Sequence, residues 1–356
     1  MRRWTSKLAL PLLALTLVAT ACGGNSGNEP KPAATNPAAA EVSADENGIT
    51  IGAPEKTKVT LRLNWKFKGE FAPFFVTKEK GIFEKYGLDV EVLEGTSSVQ
   101  TLQVLSQNKE DIGVMSTAEP MQGIEQGMPV KIIASYMSRS PIILLSYPDN
   151  PIKTPADLEG KSIASSISST FTSLYDKFIE HNKVDGSKVK LVKMETGARN
   201  TAFLNKEVDA VAVFSTNEFP MFNKKLGIEL QPMYLADYGF DVAGLTLAAN
   251  NKFLADNPNT AKRFLAAVNE GFKYTIDNPE EAAAIAKKLF PDTVDEELTV
   301  MQIQRTGELA VLEGKPFGWV SEENITHTSS VLFESGLIKK QLPAAEYFTN
   351  EYSPQP

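Results

Sequence analysis

From Lys58 to Pro148, strand and helix signals alternate, and this alternation constrains the fold more than any other feature of the chain. "KVTLRLNW" places Val59, Leu61, Leu63 and Trp65 on one face of a strand. In "APFFVTKEKG", Pro73 suits a first helical turn and Gly81 a stop. "LDVEVLE" reads as a strand, "SVQTLQVLSQNKE" as a helix, "DIGVMS" as a short buried strand and "AEPMQGIEQG" as a helix, before the strands "PVKIIASYM" and "PIILLSYP". A βαβαβ series of this kind specifies a mainly parallel sheet covered by helices. A second series opens at "KTPADLEGKSIASS", where Thr154 caps a short helix, Pro155 takes its first turn and Gly160 closes it. It continues through "TFTSLYDKFIEHN", "KVKLVKM", "NTAFLNKE", "DAVAVFS" and "EFPMFNKKLG", and "ELQPMYLAD" leads back toward the first series. After one more strand, "GLTLAAN", the remainder is nearly all helical. Two series in 356 residues exceed what one core covers, so two α/β lobes are expected.

The N-terminus fixes the expected compartment. Arg2, Arg3 and Lys7 precede "LALPLLALTLV", an apolar run too short to span a bilayer. "ATAC" follows and resembles a bacterial lipobox, so residues 1–21 are expected to be a lipoprotein signal peptide and Cys22 the lipidated residue. Cys22 is the only cysteine, which excludes disulfides, cysteine-ligated zinc and a thiol nucleophile from the folded part. Residues 22–57 are small, polar and rich in Pro and Ala, and are expected to form a flexible tether. The net charge of −8 and the lack of a basic motif argue against nucleic acid as a partner.

Catalytic signatures are missing. There is no nucleophile elbow, phosphate-binding glycine loop, HExxH motif, dinucleotide fingerprint or EF-hand loop. The two histidines, His181 and His327, both read as helix-surface residues. No enzyme activity, metal or cofactor is expected.

Several strings together resemble a known family: "NWKFKGEFAPFFVTKEKGIFEKYGLDVEV", "NKEDIGVMSTAEPM", "EQGMPVKIIASY", "PIKTPADLEGKSIA" and "LNKEVDAVAV". They are similar to the nitrate/sulfonate/taurine/thiamine-pyrimidine group of ABC-transporter solute-binding proteins. "STNEFPMFNKKLG", "LADYGFDVAGLTLAAN" and "KPFGWVSEENI" with "LFESGLI" resemble the branch that takes thiamine pyrimidine precursors and related flavins. The first loop departs from that branch's usual Asp-Trp-x-Pro-Asn, reading Asn64-Trp65-Lys66-Phe67-Lys68. The resemblance implies a type II periplasmic-binding-protein fold: two lobes, a cleft and two crossovers. Lobe 1 would comprise residues 58–145 and 238–340, lobe 2 residues 146–237, and residues 341–356 a C-terminal tail. It also implies a protein that delivers a small molecule to an ABC permease; with the lipobox this makes it membrane-anchored outside the cytoplasm, and with no self-association seam in the sequence a monomer is expected.

In open α/β sheets ligands bind beyond the carboxyl ends of the strands. Asn64 and Trp65 end the first strand, and the resemblance places a ring-stacking aromatic at Trp65. Stacking would orient a planar ligand and add roughly 0.5–1.5 kcal/mol beyond burial; the competing role is a core residue of the strand face. Phe71 and Phe67 divide between pocket wall and lobe packing. The resemblance places at Glu218, past the strand "DAVAVFS", a carboxylate that accepts from an exocyclic amine; Glu218 also suits a helix N-terminus. Ser165, Ser166, Ser168, Ser169 and Thr170 precede a helix, where hydroxyls and free N–H groups serve either an anion or simple capping. Ser116 and Thr117 end a lobe-1 strand and are expected to line the cleft. Tyr238 and Asp241 sit at the return crossover, as ligand contacts or hinge, and Arg199 either serves an anion or, the preferred reading, starts a helix at the surface. A heterocycle such as a thiamine pyrimidine precursor is the expected ligand, with a sulfonate, taurine, nitrate or a flavin as the alternative. A pyrimidine-synthase activity of the same fold is the third reading, and the cysteine-rich motif it uses is absent.

Overall fold

The computed structural model describes residues 42–44 and 49–356. The expected signal peptide, Cys22 and most of the tether lie outside the described residues. Strand β1 (Val42–Ala44) pairs antiparallel with β2 (Ile49–Ile51). The stretch after β2 is docked on the fold, where a flexible tether was expected up to residue 57. The buried Arg263 guanidinium donates to the carbonyls of Gly52, Ile51 and Tyr86 at 2.7, 3.1 and 3.0 Å. The Glu55 carboxylate in turn accepts from the backbone N–H groups of Asn259 and Thr260. Backbone carbonyls, which composition does not reveal, anchor this segment.

Lobe 1 is built on a five-stranded sheet. Its strands are β3 (Lys58–Arg62), β4 (Asp89–Leu93), β5 (Ile112–Ser116) and β6 (Val130–Ser135), joined by a late strand from the return of the chain. Lobe 2 holds β7 (Ile142–Ser146), β8 (Ser162–Ser166), β9 (Lys190–Met194), β10 (Ala210–Phe214) and β11 (Gln231–Tyr234). The late strand of lobe 1 is β12 (Leu245–Asn250). The orders are β4-β3-β5-β12-β6 and β11-β7-β10-β8-β9. In lobe 1, β12 runs antiparallel to β5 and β6, while β3 is parallel to β4 and β5. In lobe 2, β7 runs antiparallel to β10 and β11, while β8 is parallel to β9 and β10. Each sheet therefore contains one reversed strand, the first that follows a crossover.

Two expected boundaries shift. β7 belongs to the lobe-2 sheet, so the first crossover precedes Ile142 and does not lie near Ser146. Its sequence, "IILLS", is apolar almost throughout and fits either sheet, so composition does not allocate it. Residues 341–356, expected as a C-terminal tail, pack on lobe 1: Phe348 bridges to Ile132 in parallel, Thr349 N–H donates to Ile132 O at 3.0 Å, and Tyr347 is fully buried.

Period-two burial builds the strand cores. Val59, Leu61 and Leu63 are buried together with Phe74, Phe83, Phe264 and Phe272. The helix Pro258–Asp277 supplies much of this packing, burying Phe264, Leu265, Val268 and Phe272. Lobe 2 packs on both faces of its sheet, with Phe171, Leu174 and Phe178 on one side and Phe203, Phe219 and Phe222 on the other.

Candidate functional site

The carboxyl ends of the parallel strands in the two lobes meet at the crossovers. Ser116 and Ala118 from lobe 1, Thr170 and Phe214 from lobe 2, and Pro141 and Gly244 from the crossovers line one cavity of about 10 Å³, room for a single water-sized guest.

The lobe-1 wall is held by a braced loop. The Glu94 carboxylate at the end of β4 accepts from Phe67 N–H at 2.7 Å and from Lys66 Nζ at 3.3 Å. Gly95 N–H donates to Trp65 O at 3.1 Å, and Thr101 Oγ1 donates to Leu63 O at 3.2 Å. The chain leaves the strand after Arg62, so Trp65 does not continue the buried row of Val59, Leu61 and Leu63. Trp65 is 44% exposed, which removes the core role. Beside it, Asn64 Nδ2 donates to Ser98 Oγ at 3.1 Å, and that hydroxyl also receives Ser116 N–H at 3.1 Å. Asn64 Oδ1 is buried with no protein hydrogen-bond partner. Strand ends β3 and β5 and the helix Ser98–Ser106 thus converge on Ser98, a residue the strand-end reading missed.

Other expected contacts have structural roles. Phe71 is fully buried in the lobe-1 core, because the short turn Gly69–Phe71 points it inward ahead of the helix Ala72–Glu79. Phe67 stacks on Phe290 at 4.7 Å and meets Phe75 edge-on, so it packs the helical layer. Thr117 is fully buried and its hydroxyl donates to Gly244 O at 2.7 Å, tying β5 to the return crossover. The Tyr238 hydroxyl donates to Lys153 O at 2.9 Å and its ring packs on the lobe-2 core, which takes it from the list of ligand contacts. Asp241 accepts Ser140 N–H at 2.7 Å and faces Arg139, tying the two crossovers together.

Lobe 2 corrects the sequence reading most. Arg199 is buried, against a surface expectation, and pairs with Glu218 at 2.6 Å. Its remaining donors go to Ala212 O and to Asn200 Oδ1. Glu218 opens the helix Glu218–Leu226, where the helix N-terminus also favours an acid. With a cation already bound, this carboxylate needs no ligand amine to offset its burial. The serine cluster is likewise self-satisfied: Ser165 Oγ lies 3.0 Å from Ser169 Oγ and 2.7 Å from Thr172 Oγ1, and Ser169 caps the helix Thr170–His181 through Thr172 N–H. Ser166 Oγ lies 3.1 Å from Thr196 Oγ1. Ser168 is exposed. Ser116 and Thr170 line one cavity from the two lobes, Asn64 joins Ser116 through the Ser98 hydroxyl with Trp65 next to it in the chain, and Phe71, Thr117 and Tyr238 are held by other partners.

Three acids and amides escaped the sequence reading. Glu70 is buried, and Thr216 Oγ1 of lobe 2 donates to its Oε2 at 2.9 Å. Burial pushes its carboxyl up to about 7, with the Thr216 hydroxyl pulling the other way. Gln302 accepts Gly69 N–H at 3.0 Å and donates to Asn217 Oδ1 at 3.2 Å. Glu119, just past β5, has a buried Oε2 without a partner, and burial pushes its carboxyl up to about 7. A sequence signal existed for Gln302: Thr299, Gln302 and Thr306 form a buried polar row at helical spacing in Glu296–Ala310.

A sequence model of the family described as "NMT1/THI5 like" matches residues 68–282. The chain belongs to the NMT1/THI5-like family. Among relatives of this family member, the riboflavin-binding protein RibY of Chloroflexus aurantiacus is 25% identical over 98% of this chain and 97% of its own length. The 4-amino-5-hydroxymethyl-2-methylpyrimidine phosphate synthase of Candida albicans is 25% identical over 70% of this chain and 76% of its own. Among solved structures, the periplasmic aliphatic sulphonate binding protein SsuA of Escherichia coli superposes with a TM-score of 0.66 at 16% identity, covering 83% of this chain and 92% of that one. The fold of this NMT1/THI5-like chain is that of the type II periplasmic binding proteins, two mixed α/β lobes about a cleft.

Proposed function

We propose that this chain is the solute-binding protein of an ABC importer and that it captures an uncharged planar nitrogen heterocycle, a flavin or a thiamine pyrimidine precursor, by stacking on Trp65 and closing the lobes. The observation that carries this reading is the exposed Trp65 ring set beside the unpartnered Asn64 Oδ1 at the carboxyl end of β3. A flat ring would bury the indole face, and a ring N–H or amine would satisfy the amide oxygen. The full-length likeness to a riboflavin-binding relative favours the flavin. Delivery from outside the cytoplasm by a protein lipidated at Cys22 and docked on a membrane permease is part of the same proposal.

The charge pattern argues against a sulfonate or nitrate. Arg199 is committed to Glu218, and Lys66 to Glu94. The hydroxyls of Ser165, Ser169 and Thr172 bond one another, the capping role of that segment. A synthase role finds no cysteine beyond Cys22, and the two histidines lie in the helices Thr170–His181 and Glu322–Glu334.

Riboflavin is fluorescent and is quenched when stacked on indole, so direct titration tests the reading. Quenching with saturation is expected for the wild type. Trp65→Ala removes the burial of a large ring, about 1.5–3 kcal/mol, and should weaken binding on the order of ten- to a hundredfold. Binding of taurine or an alkanesulfonate, with none of riboflavin or an aminopyrimidine, would overturn it.

A further inference from the structure

The lobes also touch away from the ligand wall, through buried polar groups. We propose that closure of the cleft is set by a clamp in which Glu70 and Gln302 of lobe 1 grip the Thr216–Asn217 turn of lobe 2, and that closing the clamp takes a proton onto Glu70. Both residues are positioning residues: they act on the lobe equilibrium that ligand capture uses.

The geometry of the clamp is specific. Thr216 Oγ1 donates to Glu70 Oε2 at 2.9 Å, with both residues buried. Gln302 uses its two ends separately, accepting from Gly69 N–H within lobe 1 at 3.0 Å and donating to Asn217 O and Oδ1 at 3.4 and 3.2 Å across the cleft. The lobe-1 half is preset, because Gly69 lets the turn lie against Gln302: a Cβ there would fall 2.4 Å from Gln302 Cβ. Outside the clamp the seam is weaker and wetter. Lys224 of lobe 2 pairs with Asp295 and Glu297 at 2.7 and 2.8 Å, and Arg305 lies 5.3 Å from the Phe219 ring centroid. Such exposed pairs contribute about 0–1 kcal/mol, so the buried pair of contacts decides closure.

Glu70 enters an apolar enclosure. With Phe74, Tyr136, Phe272 and Thr306 it lines a cavity of about 10 Å³. Tyr136 is stacked on Phe272 at 4.0 Å, and burial raises its own hydroxyl, so it stays neutral. The charges that face Glu70 are Lys68 on its own loop and Glu218 on the facing helix, the latter already paired with Arg199. β5 and β12 present only Val114 and Leu245. Burial above all, with Glu218, raises the Glu70 pKa to about 7 from an ordinary 4.5, while Lys68 and the Thr216 and Asn217 side chains lower it.

Parting the lobes admits water to the carboxyl, and this hydration outweighs the loss of the Thr216 donor and returns the group toward its ordinary range. A group whose pKa is higher in the closed state favours closure fully below the open-state value, and loses that contribution as pH rises to the closed-state value. The closed-to-open ratio should therefore fall between about pH 5 and 7, by up to about tenfold per unit, and level off above that. Because the clamp consists of protein groups alone, this holds with no ligand present.

The test is a fluorescence-transfer measurement of lobe separation in the full chain, ligand-free, from pH 5 to 8.5. Cys22→Ser frees the chain of its only thiol, and Lys109→Cys and Lys193→Cys place dyes on exposed sites of the two lobes. Expected are a closed population that falls through pH 5–7, a flat profile in Glu70→Gln, and a more open chain at every pH in Gln302→Ala with the slope kept. A wild-type chain that is open throughout, or closed without any pH dependence, would overturn the clamp, as would a slope that survives Glu70→Gln. Should Glu70→Gln fail to fold, Thr216→Val decides: losing that donor must move the falling limb to higher pH, and an unmoved limb sinks the proposal. No ligand enters the experiment, so its outcome is separate from that of the riboflavin titration.

Discussion

Arg199→Ala should lower folding stability by about 3–5 kcal/mol, the cost of leaving a buried charge without its partner. The Arg199 and Glu218 side chains are only 6% and 13% exposed and meet at 2.6 Å. The guanidinium also donates to Ala212 O at 3.1 Å, in β10, and to Asn200 Oδ1. Truncation thus orphans a carboxylate and a backbone carbonyl together, beside the turn that carries Thr216 and Asn217. At about 2–4 °C per kcal/mol for a fold approaching this size, the melting temperature should drop on the order of 10 °C. Replacing both partners by apolar residues of similar volume, Arg199→Met with Glu218→Leu, should recover most of the loss, because no buried charge is left. Thermal melts of the single and double variants check this. A double variant as unstable as Arg199→Ala would mean that the loss comes from packing or from Ala212 O, and not from the stranded carboxylate.

That pair also shows where sequence reading stops. Strand and helix periodicity is a local property, and it places β3 through β12 close to where they lie, because alternate burial in "KVTLRLNW" and apolar runs such as "DAVAVFS" need no knowledge of partners. Lobe allocation is not local. "IILLS" is apolar on both faces and would fill a central position of either sheet, so its sequence alone does not decide between the lobes. The site divides the same way. Strand ends are legible, which brings out Asn64, Trp65 and Ser116. Pairings between residues distant in sequence are not, and they decide what each polar group has left to offer: Glu218 is spent on Arg199, Thr117 on Gly244, and Tyr238 on Lys153. Glu70 and Gln302 lie 232 positions apart in sequence and are joined by hydrogen bonds through Gly69 and the turn of the other lobe.

Gly95→Ala should damage the proposed ligand wall and the fold at once. Gly95 follows β4 and packs under the end of β3, where a Cβ would come within 1.8 Å of Leu63 O and 2.8 Å of its carbonyl carbon. The obstacle is backbone, so no side-chain rotation relieves it, and one strand end must move. Leu63 is fixed from both sides, its N–H donating to Leu93 O at 2.8 Å and its carbonyl receiving Thr101 Oγ1 at 3.2 Å. Overpacking of this kind costs about 1–3 kcal/mol and sometimes more; an overlap with backbone belongs at the upper end, about 3 kcal/mol. The displaced segment carries Asn64 and Trp65, so riboflavin affinity should fall as well, roughly ten- to a hundredfold, or about 1.4–2.7 kcal/mol. Gly197 supplies the control: it lies in the helix Thr196–Leu204, and a Cβ added there would meet nothing within 4 Å. Gly197→Ala should raise stability by about 0.5–1 kcal/mol through helix propensity and leave binding alone. Denaturant melts and titrations on both variants give effects of opposite sign on stability if the Leu63 contact is what matters. Equal behaviour of the two would instead place the strand end free to yield, and the Asn64–Trp65 wall would not be the rigid surface that stacking needs.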